Sequence, residues 1–405
     1  MNRTTFMLIA GEPSGDRLAA DLVHALRKLW ETGQIPTGGS STAPAEPLFF
    51  GAGGKRMAEA GVEIVLDLTQ WAVTGLTDVL RSYRHFHQAF HHLIHQAFTR
   101  TPDLILCVDF SGFNRRFARA IRQRLRAKAA RFFSWNPKIV QYVSPQVWAS
   151  RPGRAKTLEQ DLDLLLSIFP FEKEWYARHA PRLRVEYVGH PLADRYPNPE
   201  TLQTQRPPPE ERNTLVLLPG SRLGELQRHV PLLLKTWEIL HAEFPGLSPI
   251  LVIPEKELLL PVSTLGARSI PVQVGNLSQA LRQAALALAC TGTVTLECAW
   301  HLVPAVTFYR TSWPTYLIGR CIVQVPYLSM PNLLAGEEIY PEFIQHHATP
   351  NRLAEAAARI LRDPQYQRRI SRRLLEIVRP LAQPGASERA AQQIWALLSS
   401  PHQRA

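Results

Sequence analysis

LIAGEPSGDRLAADLVHAL, residues 8–26, passes from an apolar run through a glycine turn into a helical repeat. The run FMLIA (6–10) has the length of a buried strand, and from Arg17 to Trp30 the apolar residues recur with helical period. Gly11, Ser14, Gly15 and Asp16 stand between the two. A strand feeding a helix through such a turn opens a βαβ unit, and the pattern continues outward from it. LFFGA (48–52), DLILCVDF (103–110), IVQYV (139–143), DLLLSIF (163–169) and VEYVG (185–189) alternate with helical stretches such as Asn114 to Ala129. That alternation predicts an α/β fold, a doubly wound parallel sheet with helices on both faces.

Residues 197–213, PNPETLQTQRPPPEERN, are rich in proline and polar side chains and carry no apolar period. They are expected to be an interdomain linker. The alternation then restarts with TLVLLPGS (214–221), PILVIP (249–254), PVQVG (271–275), ALALAC (285–290) and PAVTFY (304–309). The expectation is therefore two Rossmann-like domains, 1–196 and 214–370, facing a cleft, and then C-terminal helices over 371–405. Those helices pack back on the first domain or on a partner subunit. Residues 33–47 look like a flexible surface insertion.

The chain has 405 residues, 45% hydrophobic and 20% charged, as expected of a globular protein of two ordinary domains. No run is long enough to span a bilayer, and the first residues do not make a signal peptide. Cys107, Cys290, Cys298 and Cys321 lie far apart without CxxC spacing, which excludes a zinc ribbon and points to a reducing compartment. Lys and Arg number 46 against 34 Asp and Glu, a net charge of +12. Such an excess suits an anionic partner, and with no nucleic-acid motif present, phosphorylated substrates and an anionic membrane surface are left. A cytoplasmic or peripheral protein is expected.

Four segments carry candidate chemistry. The Gly11–Asp16 turn offers helix N–H groups to an anion or a sugar hydroxyl, though Ser14 or Asp16 capping its own helix explains it equally. In LLPGSRLGELQRHVPLLL (217–234), Gly220 and Ser221 end a strand and Arg222 could neutralise a diphosphate, or be a surface arginine. In ACTGTVTLECAW, the turn Thr291, Gly292, Thr293 could hold phosphate while Glu297, about one turn on, accepts ribose hydroxyls. Asp109 ends the strand 103–110, where a carboxylate can serve as a general base or merely cap the next helix.

Asp161-Leu162-Asp163 has the form of a metal–diphosphate DxD, but it runs into an apolar strand and is read as structural. His87, His91 and His95 have i, i+4, i+8 spacing without a carboxylate or thiolate partner, and a partly protonated helix face is the expectation. No metal is expected. Asp67 to Tyr83 sets Trp71, Val73, Leu76, Val79 and Leu80 beside Arg81, Arg84 and His85. This suits a membrane-interface contact or a core-packing helix.

Taken in order, GEPSGD, GAGGKRM, VDFSGFN, YVSPQVWASRPGR, FPFEKEWY, VGHPLAD, LLPGSRLGE, TGTVTLE and LSMPNLLAGEEIYPEFIQ resemble the landmarks of the lipid-A-disaccharide synthases, spread over residues 6 to about 360. The resemblance implies a GT-B glycosyltransferase of Gram-negative-type lipopolysaccharide synthesis. Such an enzyme transfers 2,3-diacylglucosamine from its UDP derivative to the 6-hydroxyl of 2,3-diacylglucosamine 1-phosphate, with inversion. It would need no cofactor or metal and would sit on the inner face of the cytoplasmic membrane, with a homodimer conceivable.

On the same footing Asp109 and Arg222 are the catalytic residues. Gly220, Ser221, Thr291, Gly292, Thr293, Glu297, Asn332, Glu338 and Gln345 hold the UDP-sugar. Gly11, Glu12, Ser14 and Gly15 close the acceptor side, and Trp71, Val73, Leu76, Val79 and Leu80 touch the membrane. Departures from the family pattern include Pro13, Thr74, Thr291 and Ser111-Gly112, the last beside Asp109. Two alternatives stay open: another UDP-sugar transferase or a UDP-sugar epimerase on the same fold, and a non-catalytic lipid-binding scaffold.

Overall fold

The computed structural model describes residues 3–35, 45–69, 79–129 and 134–399. Seven strands form the first sheet: β1 (Thr5–Ala10), β2 (Leu48–Gly53), β3 (Glu63–Asp67), β4 (Leu104–Val108), β5 (Lys138–Tyr142), β6 (Leu164–Ser167) and β7 (Val185–Tyr187). Six form the second: β8 (Thr214–Leu218), β9 (Ser248–Ile253), β10 (Val272–Val274), β11 (Ala284–Cys290), β12 (Ala305–Tyr309) and β13 (Glu342–Ile344). Their orders are β3-β2-β1-β4-β5-β6-β7 and β10-β9-β8-β11-β12-β13, with parallel pairing throughout. β4 and β11 are buried at every residue, as sheets covered on both faces require.

In each sheet the strand order reverses once, between β1 and β4 and between β8 and β11. Neighbouring crossovers there leave in opposite directions and open a crevice at the carboxyl ends. The register pairs Ala10 with Val108 and Leu218 with Ala289. The Gly11 turn is thus level with Asp109, and Pro219 follows on beside Cys290.

Packing divides the chain into Met1–Asp194 with Gln383–Ala405, and Arg195–Ala382. The second unit therefore includes residues 197–213, which were expected to be a linker. They carry the helix Pro199–Gln205, with Pro199 and Leu202 buried. Arg206 donates to the carbonyls of Leu302 and Ala284, and Trp300 Nε1 to that of Pro197 at 2.9 Å. The prolines hid a segment anchored by polar groups instead of an apolar repeat.

The expected C-terminal block 371–405 is likewise divided. Helix Pro364–Val378 belongs to the second unit, whereas helix Ala386–Ser399 packs on helix Pro13–Glu31 of the first. There Trp395 Nε1 donates to Leu26 O at 3.2 Å and its ring meets Phe6 edge-on. β3 and β13 were not anticipated, and Asp67, taken as the start of an apolar helix, ends β3 and accepts from Thr69 N and Oγ1. Trp71, Val73, Leu76 and residues 36–44 of the insertion lie outside the described residues; Val79 and Leu80 open the helix Val79–Arg100.

Candidate active site

In the first unit the carboxyl ends of β1 and β4 form one assembly. A Cβ on Gly11 would lie 2.3 Å from the Phe110 ring, and one on Gly15 3.6 Å from Asp109 Cβ. Glycine at 11 thus lets the strand end and the Phe110 ring meet, whereas a side-chain carbon at 15 would sit in ordinary van der Waals contact with Asp109. Glu12 is the N-cap of that helix and makes no side-chain cap bond, while Ser14 is exposed.

Asp109 and Phe110 both lie in the left-handed region, at φ 47° and 41°. Each such residue costs on the order of 1–3 kcal/mol, and persists only where its surroundings hold it. Here they do. Asp109 N donates to Tyr142 O at 2.9 Å, and Asp109 O accepts from Asn114 Nδ2 at 2.9 Å and Gln141 Nε2 at 3.1 Å. Asn114 is fully buried and also reaches Ile9 O and Val108 O. Ser111 and Gly112 open the helix Ser111–Ala129, and Gly112 has open space around its Cα. The departure at 111–112 leaves this clamp intact.

Asp16 caps a different helix from the one that carries it. Its carboxylate accepts from Gly54 N at 2.7 Å, Arg56 N at 2.9 Å and Met57 N at 3.2 Å, at the start of helix Lys55–Glu59. GEPSGD and GAGGKRM are one joint, which spacing along the chain could not disclose.

In the second unit β8 ends in Pro219-Gly220-Ser221 and the helix Leu223–Glu243 begins behind Arg222. Glu225 Oε2 accepts from Ser221 N at 3.1 Å and Arg222 N at 3.3 Å. The turn's own N–H groups are therefore occupied by a carboxylate, and Gly220, at φ 110°, leaves room for it. What the turn presents outward is the Ser221 hydroxyl and the half-exposed Arg222 guanidinium, 3.9 Å from Glu225.

His229, which the sequence reading passed over, ties two strand ends together. Its Nδ1 donates to Pro219 O at 2.7 Å, and its Nε2 accepts from Arg310 N at 3.0 Å. Burial lowers its pKa, in keeping with that neutral tautomer.

Beside it, β11 ends at Cys290. Thr291 N and Oγ1 both donate to Phe308 O, and Gly292 is the N-cap of helix Thr293–Trp300, with no side-chain cap. A Cβ on Gly292 would meet nothing within 4 Å, so packing within the chain does not require glycine there. Glu297 lies one turn into this helix and accepts from the Tyr196 hydroxyl.

Gly220, Ser221, Arg222, Thr291, Gly292 and Thr293 are brought to adjacent strand ends. Asn332 is not. It is fully buried, donating to Tyr340 O and Glu342 Oε1 and accepting from Ile339 N and Tyr340 N. With every amide valence used, it shapes the loop instead of lining a site. Gln345, buried at φ 54°, makes a two-way bond with the Thr311 backbone across the ends of β12 and β13, and Glu338 is exposed.

The remaining candidates have structural partners. Asp163 is bound by Arg122 and Ile139 N, and Asp161 pairs with Arg119 at 3.5 Å, which accounts for the DxD carboxylates. His87 Nε2 lies 3.1 Å from His91 Nε2, and among the described residues no three metal-ligating groups converge.

A model of the lipid-A-disaccharide synthetase family matches residues 6–395. The chain belongs to this family. Lipid-A-disaccharide synthases of Myxococcus xanthus and Geobacter sulfurreducens are each 33% identical to it, over 98% and 95% of both chains respectively. Among solved structures, the glycotransferase of kitacinnamycin has a TM-score of 0.58 at 17% identity, covering 98% of this chain and all of its own. A UDP-GlcNAc 2-epimerase from Neisseria meningitidis bound to UDP-GlcNAc reaches 0.56 at 11% identity with the same coverage. Likenesses this distant carry the fold alone, the two-domain GT-B architecture. Membership in the lipid-A-disaccharide synthases decides for a glycosyltransferase over the epimerase and scaffold readings.

Proposed function

We propose that the chain transfers 2,3-diacylglucosamine from its UDP derivative to the 6-hydroxyl of 2,3-diacylglucosamine 1-phosphate. The acceptor oxygen attacks C1 of the donor from the face opposite UDP. The bond from C1 to the β-phosphate oxygen breaks, the configuration inverts, and the hydroxyl proton passes to Asp109. Arg222, Ser221 and the N-terminus of helix Thr293–Trp300 stabilise the departing UDP, while Glu297, held by Tyr196, takes the ribose hydroxyls. The observation that carries this assignment is the clamped, left-handed Asp109 at the switch point of the first sheet, where an open parallel sheet leaves its ligand crevice.

Leaving-group stabilisation by a guanidinium and a helix end needs no metal, and the arginine partners of Asp161 and Asp163 favour that reading. The enzyme works as a peripheral protein on the inner face of the cytoplasmic membrane, where its acylated substrates reside. Asp109→Asn should lower turnover by roughly two orders of magnitude while UDP binding persists. The assay is radioactive transfer with both acylated substrates, run with and without a chelator. Near-normal turnover in the variant removes Asp109 from the role of base, and loss of activity with chelator removes the metal-free mechanism.

A further inference from the structure

Helix Trp313–Ile322 contains no buried residue. Trp313, Leu317 and Ile318 are 57%, 58% and 60% exposed. At the helical repeat they fall, with exposed Cys321, within an arc of about 140°, and Arg320 lies at its edge. No Asp or Glu occurs from Arg310 to Gly336. An apolar arc of this width on a charge-sparing helix is costly to leave in water.

Beside the helix, a cavity of about 620 Å³ opens between helix Leu223–Glu243 and the ends of β12 and β13. Arg228, Lys235, Arg310 and Gln345 line it, and Trp313 stacks over His346 at its rim with ring centroids 6.4 Å apart. None of its lining residues is a carboxylate. Among the described residues Arg228, Lys235, Arg310 and Arg320 make no ion pair. The cationic cavity and the apolar helix thus share one residue, Trp313, an aromatic of the kind that favours the boundary between headgroup and hydrocarbon.

We propose that helix Trp313–Ile322 is a bilayer contact of the second unit, with its apolar arc in the acyl region and the phosphate of an anionic lipid headgroup in the adjoining cavity. It is separate from the 67–83 stretch, and it rests on the reading that the substrates are membrane lipids. Charge selects this occupant. A second copy of a chain carrying +12 would bring like charge to an already unneutralised cluster, whereas an anionic bilayer answers both halves of the surface.

Cys321 is exposed while Cys107, Cys290 and Cys298 are buried, so a thiol-reactive environment-sensitive fluorophore can be placed on this helix selectively. With phosphatidylglycerol-containing vesicles its emission should shift to the blue and be quenched by acyl-chain spin labels. Vesicles of phosphatidylcholine alone should produce a weaker change. Trp313→Ser with Leu317→Ser and Ile318→Ser should lower vesicle partition by about tenfold with an unchanged thermal midpoint, since none of the three is buried. Lys235→Gln with Arg310→Gln should abolish the preference for anionic vesicles.

A label that keeps its aqueous emission while the protein sediments with vesicles overturns the proposal. So does a lipid-independent blue shift that grows with protein concentration, which is the mark of self-association. Displacement from vesicles by inorganic phosphate, at matched ionic strength, reassigns the cavity to free anions and overturns the headgroup assignment. These readouts use no sugar substrate. Absence of transfer from detergent-dispersed substrates by the wild-type chain is therefore a separate failure, that of the proposed reaction.

Discussion

Gln141 and Asn114 act on Asp109 through its backbone carbonyl. Gln141 is the better probe, because Asn114 also joins β1 to β4 and its loss endangers the fold. Gln141→Leu should release part of the left-handed strain at Asp109 and Val143 and let the carboxylate wander. Misplacement by about 1 Å costs up to a hundredfold, so kcat should drop by ten- to a hundredfold with the UDP dissociation constant unchanged. Equal loss of nucleotide binding would reduce Gln141 to a structural role.

Glu172 shows what burial does to a carboxyl group. Burial pushes its carboxyl up to about 7 from 4.5, even though Trp148 Nε1 and Phe169 N donate to it. The folded chain therefore holds this proton more tightly than the unfolded one. The associated stability is complete below pH 4.5 and is lost as pH rises to 7, by about 3 kcal/mol. Unfolding free energies of wild type and Glu172→Gln, measured across that window, should differ by this pH-dependent amount. Parallel curves would place the carboxyl at its ordinary value.

At the scale of elements, strands and their helices were legible because full burial of a parallel sheet leaves short apolar runs and helices leave a period. The short edge strands β3 and β13 were not, for EIVLD and EFI are too brief and half-buried to stand out. Pairing between distant loops was equally hidden. Asp194 of VGHPLAD accepts from Gly385 N, Ala386 N at 3.3 Å and Ser387 N at 3.1 Å, and so caps the C-terminal helix across 191 residues of sequence. A helix cap is recognisable in sequence when it lies next to its helix, and this one does not. The same distance effect hid the Tyr196–Glu297 bond and the employment of Asn332, whose position inside a resembling motif suggested ligand contact when its amide serves the loop. Asp194→Ala should cost about 1–2 kcal/mol and raise amide exchange first in residues 386–399. Uniform exchange through the first unit would mean that Asp194 holds more than this helix end.

At the scale of the whole molecule, the division of the chain into two units separates the proposed roles. Every group assigned to UDP lies in Arg195–Ala382, and the proposed base and acceptor turn lie in the other unit. Ligand that binds only the native form of a unit stabilises that unit by RT ln(1 + [L]/Kd), about 2.7 kcal/mol at a hundred times Kd. UDP alone should therefore slow amide exchange around 219–226 and 291–298 and raise the stability of the second unit. Segments 11–16 and 109–114, which meet the acceptor in this assignment, should gain protection only when 2,3-diacylglucosamine 1-phosphate is added. The order matters because a base that is already protected by UDP alone is touching the nucleotide. In that event Asp109 belongs to donor binding, and the proton acceptor must be sought elsewhere in the chain.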